Sequence, residues 1–355
     1  MRCVLQMLLC ATPVFASPVY KVIDLGFVQA AGINALGQIT GSSNGSAFLY
    51  SNGVITTLGT LGGPNSAGYA INDSGQITGD SNISSGSQPA HPFLYSNGVI
   101  TDLGTLGGMY ADGSGLGINA SSQITGDSNT GSGNTHAFLY SNGVMSDLGT
   151  LGGATSAGYG INNSGQVTGF AALADLGEHA FLYSNGVMTD LGTLGGTNSS
   201  GAAINNSGQI TGFSDTGSYV GIDPLERAFI YSNGVMADLG TLGGEGSEGF
   251  AINNSGQVVG MSGTSDGLSH AFIYSNGVMA DLNLLIDAPG VVLNSANRIN
   301  DSGQIICSGY VGTSSQSAFL LTPVLESPES STLVLFCAGL MTLVAWRNQV
   351  REPTK

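Results

Sequence analysis

Charge is what this chain most conspicuously lacks. Only 8% of its 355 residues are charged, and 7 Lys and Arg stand against 23 Asp and Glu. So little charge leaves nothing from which to build the solvated faces of amphipathic helices. The formal net charge of −16 repels phosphate backbones, which excludes nucleic acid as a partner. Between Ser17 and Ser331 the cations are Lys21, Arg227 and Arg298. Cysteine is almost as scarce. Of the 4 cysteines, Cys3, Cys10 and Cys337 lie near the ends and Cys307 alone in the body. One thiol closes no internal disulfide, so packing must hold the body together.

What is present points to β structure. Glycine occurs 57 times, Ser, Thr and Asn fill the gaps between short apolar runs, and 41% of residues are hydrophobic. That is enough apolar material for a core, so the low charge does not imply disorder. The fold class expected is all-β.

The two ends read as addresses. Residues 1–16 combine Arg2, an apolar stretch from Val4 to Phe15 and the small-residue site Val14-Phe15-Ala16, as a secretory signal cut after Ala16 does. A lipoprotein site at Cys10 is disfavoured by Leu8 and Leu9 before it. Residues 326–355 hold Pro328-Glu329-Ser330, an apolar run from Thr332 to Trp346 and the basic tail Arg347, Arg351, Lys355. The run is short for a spanning helix, and its trailing cations favour the cytoplasmic side. Motif, apolar segment and basic tail together resemble the PEP-CTERM sorting signal, with Ser330 where that signal has a second proline. The resemblance implies a Gram-negative bacterium, handling by an exosortase-like enzyme and an association with exopolysaccharide. A simple C-terminal membrane anchor is the alternative.

Residues 17–325 repeat. The clearest marker is Phe48, Phe93, Phe138, Phe181, Phe229, Phe272 and Phe319, a spacing of the kind seen in propellers and solenoids. Each unit has four strand-like pieces: one ending in Ile-Asn, one reading Gln-Ile-Thr-Gly, one reading Ala-Phe-Leu/Ile-Tyr, and one after a Ser-Asn-Gly turn. Asn-Gly between apolar runs predicts a type I′ hairpin. Val22-Ile23-Asp24-Leu25-Gly26 matches a fourth strand yet stands before the first unit, and the last unit ends without one. An open solenoid has no use for that permutation. A ring does, because the N-terminal strand completes the last sheet. The prediction is a seven-bladed β-propeller of four-stranded blades, closed by its N-terminal strand. The repeats also resemble the HAF family of bacterial extracellular repeats, whose tripeptide stands at His136-Ala137-Phe138, His179-Ala180-Phe181 and His270-Ala271-Phe272. That resemblance implies an exported protein and brings no catalytic residues.

Candidate chemistry is thin. His91, His136, His179 and His270 open third strands of different blades, too far apart to share one ion. Asp24, Asp102, Asp147, Asp190, Asp238 and Asp281 recur on fourth strands, where a charge discourages edge-to-edge pairing. The Leu-Gly-Thr-Leu-Gly-Gly segments read as blade connectors, not phosphate loops, since no helix follows them. In the loops between second and third strands, Asp80 with Asn82 and Asp127 with Asn129 alternate oxygen ligands as some calcium loops do, without the full pattern. No other metal or cofactor is expected. The longest such loop, from Ser214 to Arg227, breaks the repeat with Tyr219, Asp223, Glu226 and Arg227, the expected contact site. Tyr110, Tyr159, Tyr219 and Phe250 near the same face are candidates for stacking on sugars. The function expected is an exported surface or matrix module binding exopolysaccharide or a surface protein. The alternatives are a propeller lyase or hydrolase, for which no catalytic set is visible, and a passive coat.

Overall fold

The computed structural model describes residues 20–26, 29–85, 89–107, 113–175, 177–221, 223–312 and 316–324. The expected signal (1–16) and tail (326–355) lie outside the described residues. Seven four-stranded antiparallel sheets form a ring, a seven-bladed β-propeller. The helical content described is one short 3-10 turn, Leu282–Leu284. No helix among the described residues is long and apolar enough to cross a membrane.

Blade 3 shows how the repeat becomes a sheet. Its strands are Gly113–Ile118, Ile124–Asn129, Thr135–Ser141 and Val144–Asp147, paired in that order. The last two are joined by Asn142 at φ 53° and Gly143 at φ 82°, the pair of positive φ values that a type I′ turn requires. Phe138 and its six repeat equivalents are fully buried, forming the centres of successive inter-blade cores. Each contributes roughly 1.5–3 kcal/mol by leaving water.

Neighbouring blades are also latched by polar contacts. The backbone N–H of Ala137 donates to Ser156 Oγ of the next blade at 2.9 Å, and Ala47, Ala180 and Ala228 repeat this with Ser66, Ser199 and Ser247. These buried serines satisfy backbone groups that an all-apolar seam would strand.

The permutation expected from the chain ends is present. Tyr20–Asp24 pairs antiparallel with Ser317–Pro323, in the register Asp24 opposite Phe319. That is the register of Asp147 opposite Phe138 within blade 3. Tyr20 is buried in the core shared by blades 6 and 7, beside Leu285, Cys307 and Leu321. The closing blade is therefore built like the others from opposite ends of the chain.

Candidate functional site in the central channel

The first strand of every blade lines the axis. Each is followed by an asparagine, whose side-chain amide donates to the main-chain carbonyl of the asparagine in the next blade. Asn34 Nδ2 donates to the Asn72 carbonyl at 3.0 Å, Asn72 to Asn119 at 3.0 Å, and Asn119 to Asn162 at 3.0 Å. Asn162 then donates to Asn205 at 3.1 Å, Asn205 to Asn253 at 3.1 Å, Asn253 to Asn300 at 3.2 Å, and Asn300 back to Asn34 at 2.8 Å. Each asparagine Oδ1 also accepts the backbone N–H of the glutamine four residues on, as Asn162 does from Gln166 at 3.0 Å. This ring encircles a polar mouth of about 260 Å³, with Asp73 and Asp301 in its lining.

Three positions before each asparagine the inner hairpin shifts register. The unmatched residues are Ala31, Tyr69, Leu116, Tyr159, Ala202, Phe250 and Asn297. A bulge leaves its extra residue unpaired and re-aims the side chain. Three residues of strand put this layer roughly 10 Å along the strand from the asparagine ring. There, Tyr69, Leu116, Tyr159, Ala202 and Phe250 line a cavity of about 190 Å³, and the sixth lining residue is Arg298.

Arg298 is the one cation in that lining. Protein encloses it deeply, yet the side chain keeps some contact with solvent through the cavity. Its Nη1 donates to the Asn297 carbonyl at 2.8 Å. No carboxylate among the described residues lies within 4.0 Å of the guanidinium, and burial draws its pKa below the usual arginine value. The carboxylates near the cavity engage the tyrosines instead. Burial first, then the hydrogen bond to Asp80 and the charges of Asp80 and Asp127, push the Tyr69 phenol up. Tyr159 is pushed up by burial, Asp127 and Glu178, and its ring centroid lies 5.8 Å from that of Phe170. Both phenols therefore stay neutral and present aromatic surface.

The residues predicted from sequence are placed differently. The expected loop between Ser214 and Arg227 is largely a hairpin extension of Ile210–Val220 and Asp223–Ser232, in which Tyr219 pairs with Pro224 and Asp215 with Glu226. Tyr219 is 61% exposed. Glu226 is half-buried against Asp215, and burial followed by that charge raises its pKa. Arg227 occupies the histidine position of its blade, with its guanidinium 3.8 Å from Asp238 and bonded to the Glu245 carbonyl. Asp223 pairs with Val220 through the backbone.

Asp80, Asn82, Asp127 and Asn129 are a correction of placement, because they lie in strands and not in loops. Ser81 and Ser128 between them are buried, and so is Asn82. Asp80 takes the Tyr69 hydroxyl, and Asn129 Oδ1 accepts from Thr135 at 2.8 Å. Among the described residues no three His, Cys, Asp or Glu are grouped to hold a metal ion. Of the four proposed stacking aromatics, Tyr159 and Phe250 meet in the cavity, Tyr219 does not, and Tyr110 lies outside the described residues.

The histidines and aspartates, read separately in the sequence, are partners. His91 Nδ1 lies 2.9 Å from Asp102, His136 2.8 Å from Asp147, His179 2.8 Å from Asp190 and His270 2.7 Å from Asp281. Each pair clasps third strand to fourth, eleven residues apart. The signal was in the sequence: blade 1 lacks both members, with Ser46 and Thr57 in their places.

No family model and no curated protein matches the chain. Among solved structures it is similar to TolB from Acinetobacter baumannii, at 12% identity and TM-score 0.43, covering 70% of this chain and 63% of that one. It thus spans about 63% of that protein's length. A chain of the Mitotic Checkpoint Complex gives 13% identity and TM-score 0.44, covering 92% and 100%. AofleA from Arthrobotrys oligospora gives 10% identity and TM-score 0.40, covering 74% and 87%. Likeness this distant carries no argument about activity.

Proposed function

We propose that this chain is an exported cell-surface binding module that engages exopolysaccharide through the central channel of its propeller. The observation that carries the reading is the axial cavity, where bulges from five blades set three aromatic rings and a leucine around one arginine. Aromatic faces pack against the C–H faces of sugars while polar groups at the edge fix orientation. In this reading residues 1–16 export the chain, and residues 326–355 hold it at the membrane until an exosortase-like enzyme processes it.

The test is depletion of the purified full chain by extracellular polysaccharide from the producing organism, with Phe250→Ala and Tyr159→Ala beside it. Retention by the polysaccharide, lost in both variants, is expected. Retention unchanged in both removes the channel from the reading, and no retention favours a passive coat or a protein partner. Hydrolysis is a second reading, favoured by one observation: Glu248 stands in the electrostatic field of Glu226, and burial raises both carboxyls. Release of new reducing ends from the same polysaccharide would support it.

A further inference from the structure

We infer that the axial cavity takes a carboxylate, carried on a single sugar ring, against Arg298. The inference rests on reading the channel as a glycan site and names the chemistry of the glycan: a uronic acid, at a chain end or as a side substituent.

The argument begins with an unbalanced charge. A buried charge is tolerated when a counter-charge or a full set of hydrogen bonds replaces the water it has lost. Among the described residues the Arg298 guanidinium has one hydrogen bond, to the Asn297 carbonyl, out of the five N–H donors it offers. No carboxylate stands within 4.0 Å among the described residues, although acidic residues outnumber basic ones by 23 to 7 across the chain. The guanidinium faces a cavity, so its remaining donors are available to whatever enters. A carboxylate matches the planar fork of donors in a way a hydroxyl does not.

The rest of the lining selects what carries the carboxylate. Tyr69, Leu116, Tyr159 and Phe250 offer apolar surface and no second cation, unlike a site built for a multiply charged phosphate. A volume of about 190 Å³ falls below the roughly 300–1,000 Å³ of pockets for drug-sized ligands. It admits one ring and not a polymer segment lying flat. Asp80 and Asp127 act against an incoming anion, but the phenol of Tyr69 is bonded to Asp80 and stands in the electrostatic field of both. The nearest counter-charge to the bound anion is then Arg298.

The experiment is calorimetric titration of the full chain with the trisaccharides of galacturonate and of galactose, using wild type, Arg298→Gln and Arg298→Lys. The galacturonate trisaccharide should bind at least tenfold more tightly than its neutral counterpart. Arg298→Gln should reduce it to the neutral level, and Arg298→Lys should retain part of the difference. Thermal melting of each variant without ligand establishes that it folds. Equal binding of both sugars, unaffected by Arg298→Gln, overturns the carboxylate and leaves the glycan site standing. Binding of neither sugar overturns the glycan reading. In that case a melting shift from sodium acetate over sodium chloride, absent in Arg298→Gln, still supports a carboxylate site, and no shift overturns that too.

Discussion

Asn300 Nδ2 lies 2.8 Å from the carbonyl oxygen of Asn34, residues 266 apart in sequence. The same contact joins each adjacent pair of blades around the ring. If the junction between blades 7 and 1 is equivalent to the internal ones, Asn300→Ala and Asn162→Ala should lower stability by similar amounts. Each orphans a buried carbonyl and turn amides, a cost of about 1–3 kcal/mol. Urea denaturation measures both, and a near-zero cost at Asn300 alone would mean that the ring opens there in solution.

Gly126 faces the bulge of its blade so closely that an added Cβ would overlap the Ser114 carbonyl oxygen. Gly126→Ala should therefore cost about 3 kcal/mol or more, because backbone cannot step aside as a flexible side chain can. Gly131→Ala is the control, since the nearest atom to its Cβ is the Gly107 oxygen at 3.6 Å. It should change the melting temperature little.

The His136–Asp147 contact is short, at 2.8 Å, but the aspartate side chain is 42% exposed. Exposed pairs of this kind couple by about 1 kcal/mol or less. A double-mutant cycle with His136→Ala and Asp147→Ala should return a coupling in that range. It should also leave glycan retention unchanged, since the pair clasps the outer strands of its blade.

Burial, followed by the adjacent Cys307, pushes the Tyr20 hydroxyl up to about 12 from an ordinary value of 10.0. The folded state keeps its proton where the unfolded state has lost it. This contribution to stability is therefore complete below pH 10 and disappears as pH rises toward 12. The loss accumulated across that window amounts to about 2–3 kcal/mol. Denaturation between pH 9 and 12 should show a shallower alkaline loss for Tyr20→Phe than for wild type.

Glu248 is raised by burial first and by Glu226 second. A carboxyl raised in the folded state stabilises fully below its unfolded pKa and loses that contribution as pH climbs through the folded value. At neutral pH the charged form is the burdened one. Glu248→Gln should melt higher than wild type at pH 7, with the advantage shrinking toward pH 4. A variant that melts lower at pH 7 would show that the carboxylate has a favourable partner.

Much of the architecture was legible because each repeat states its own local rules. Asn-Gly turns specify hairpins, the phenylalanine column marks the cores, and the stray fourth strand at 22–26 announces closure. The site was less legible. Tyr159 and Phe250 were picked out as aromatics, but Tyr69, Leu116 and Arg298 were not. Read as plain alternation, the first strand gives no reason for the residue before Gly160 or Ala251 to face the axis. A one-residue register shift supplies it, and the trace in sequence is only a column that varies from alanine to tyrosine within a constant frame.

The sequence by itself determined the number of blades, the hairpins within them and the strand that closes the ring, because every repeat carries the same four-strand pattern and the unit that lacks its fourth strand is matched by a lone fourth strand at the other end of the body. Tertiary structure decided the rest: that histidine and aspartate eleven residues apart are partners, that Arg227 turns its guanidinium to Asp238 and the Glu245 carbonyl, and that Arg298 stands in a cavity with no carboxylate within 4.0 Å among the described residues. Those relations depend on bulges and on which blades meet at the axis. A repeat encodes itself locally, whereas its centre is made by seven copies at once.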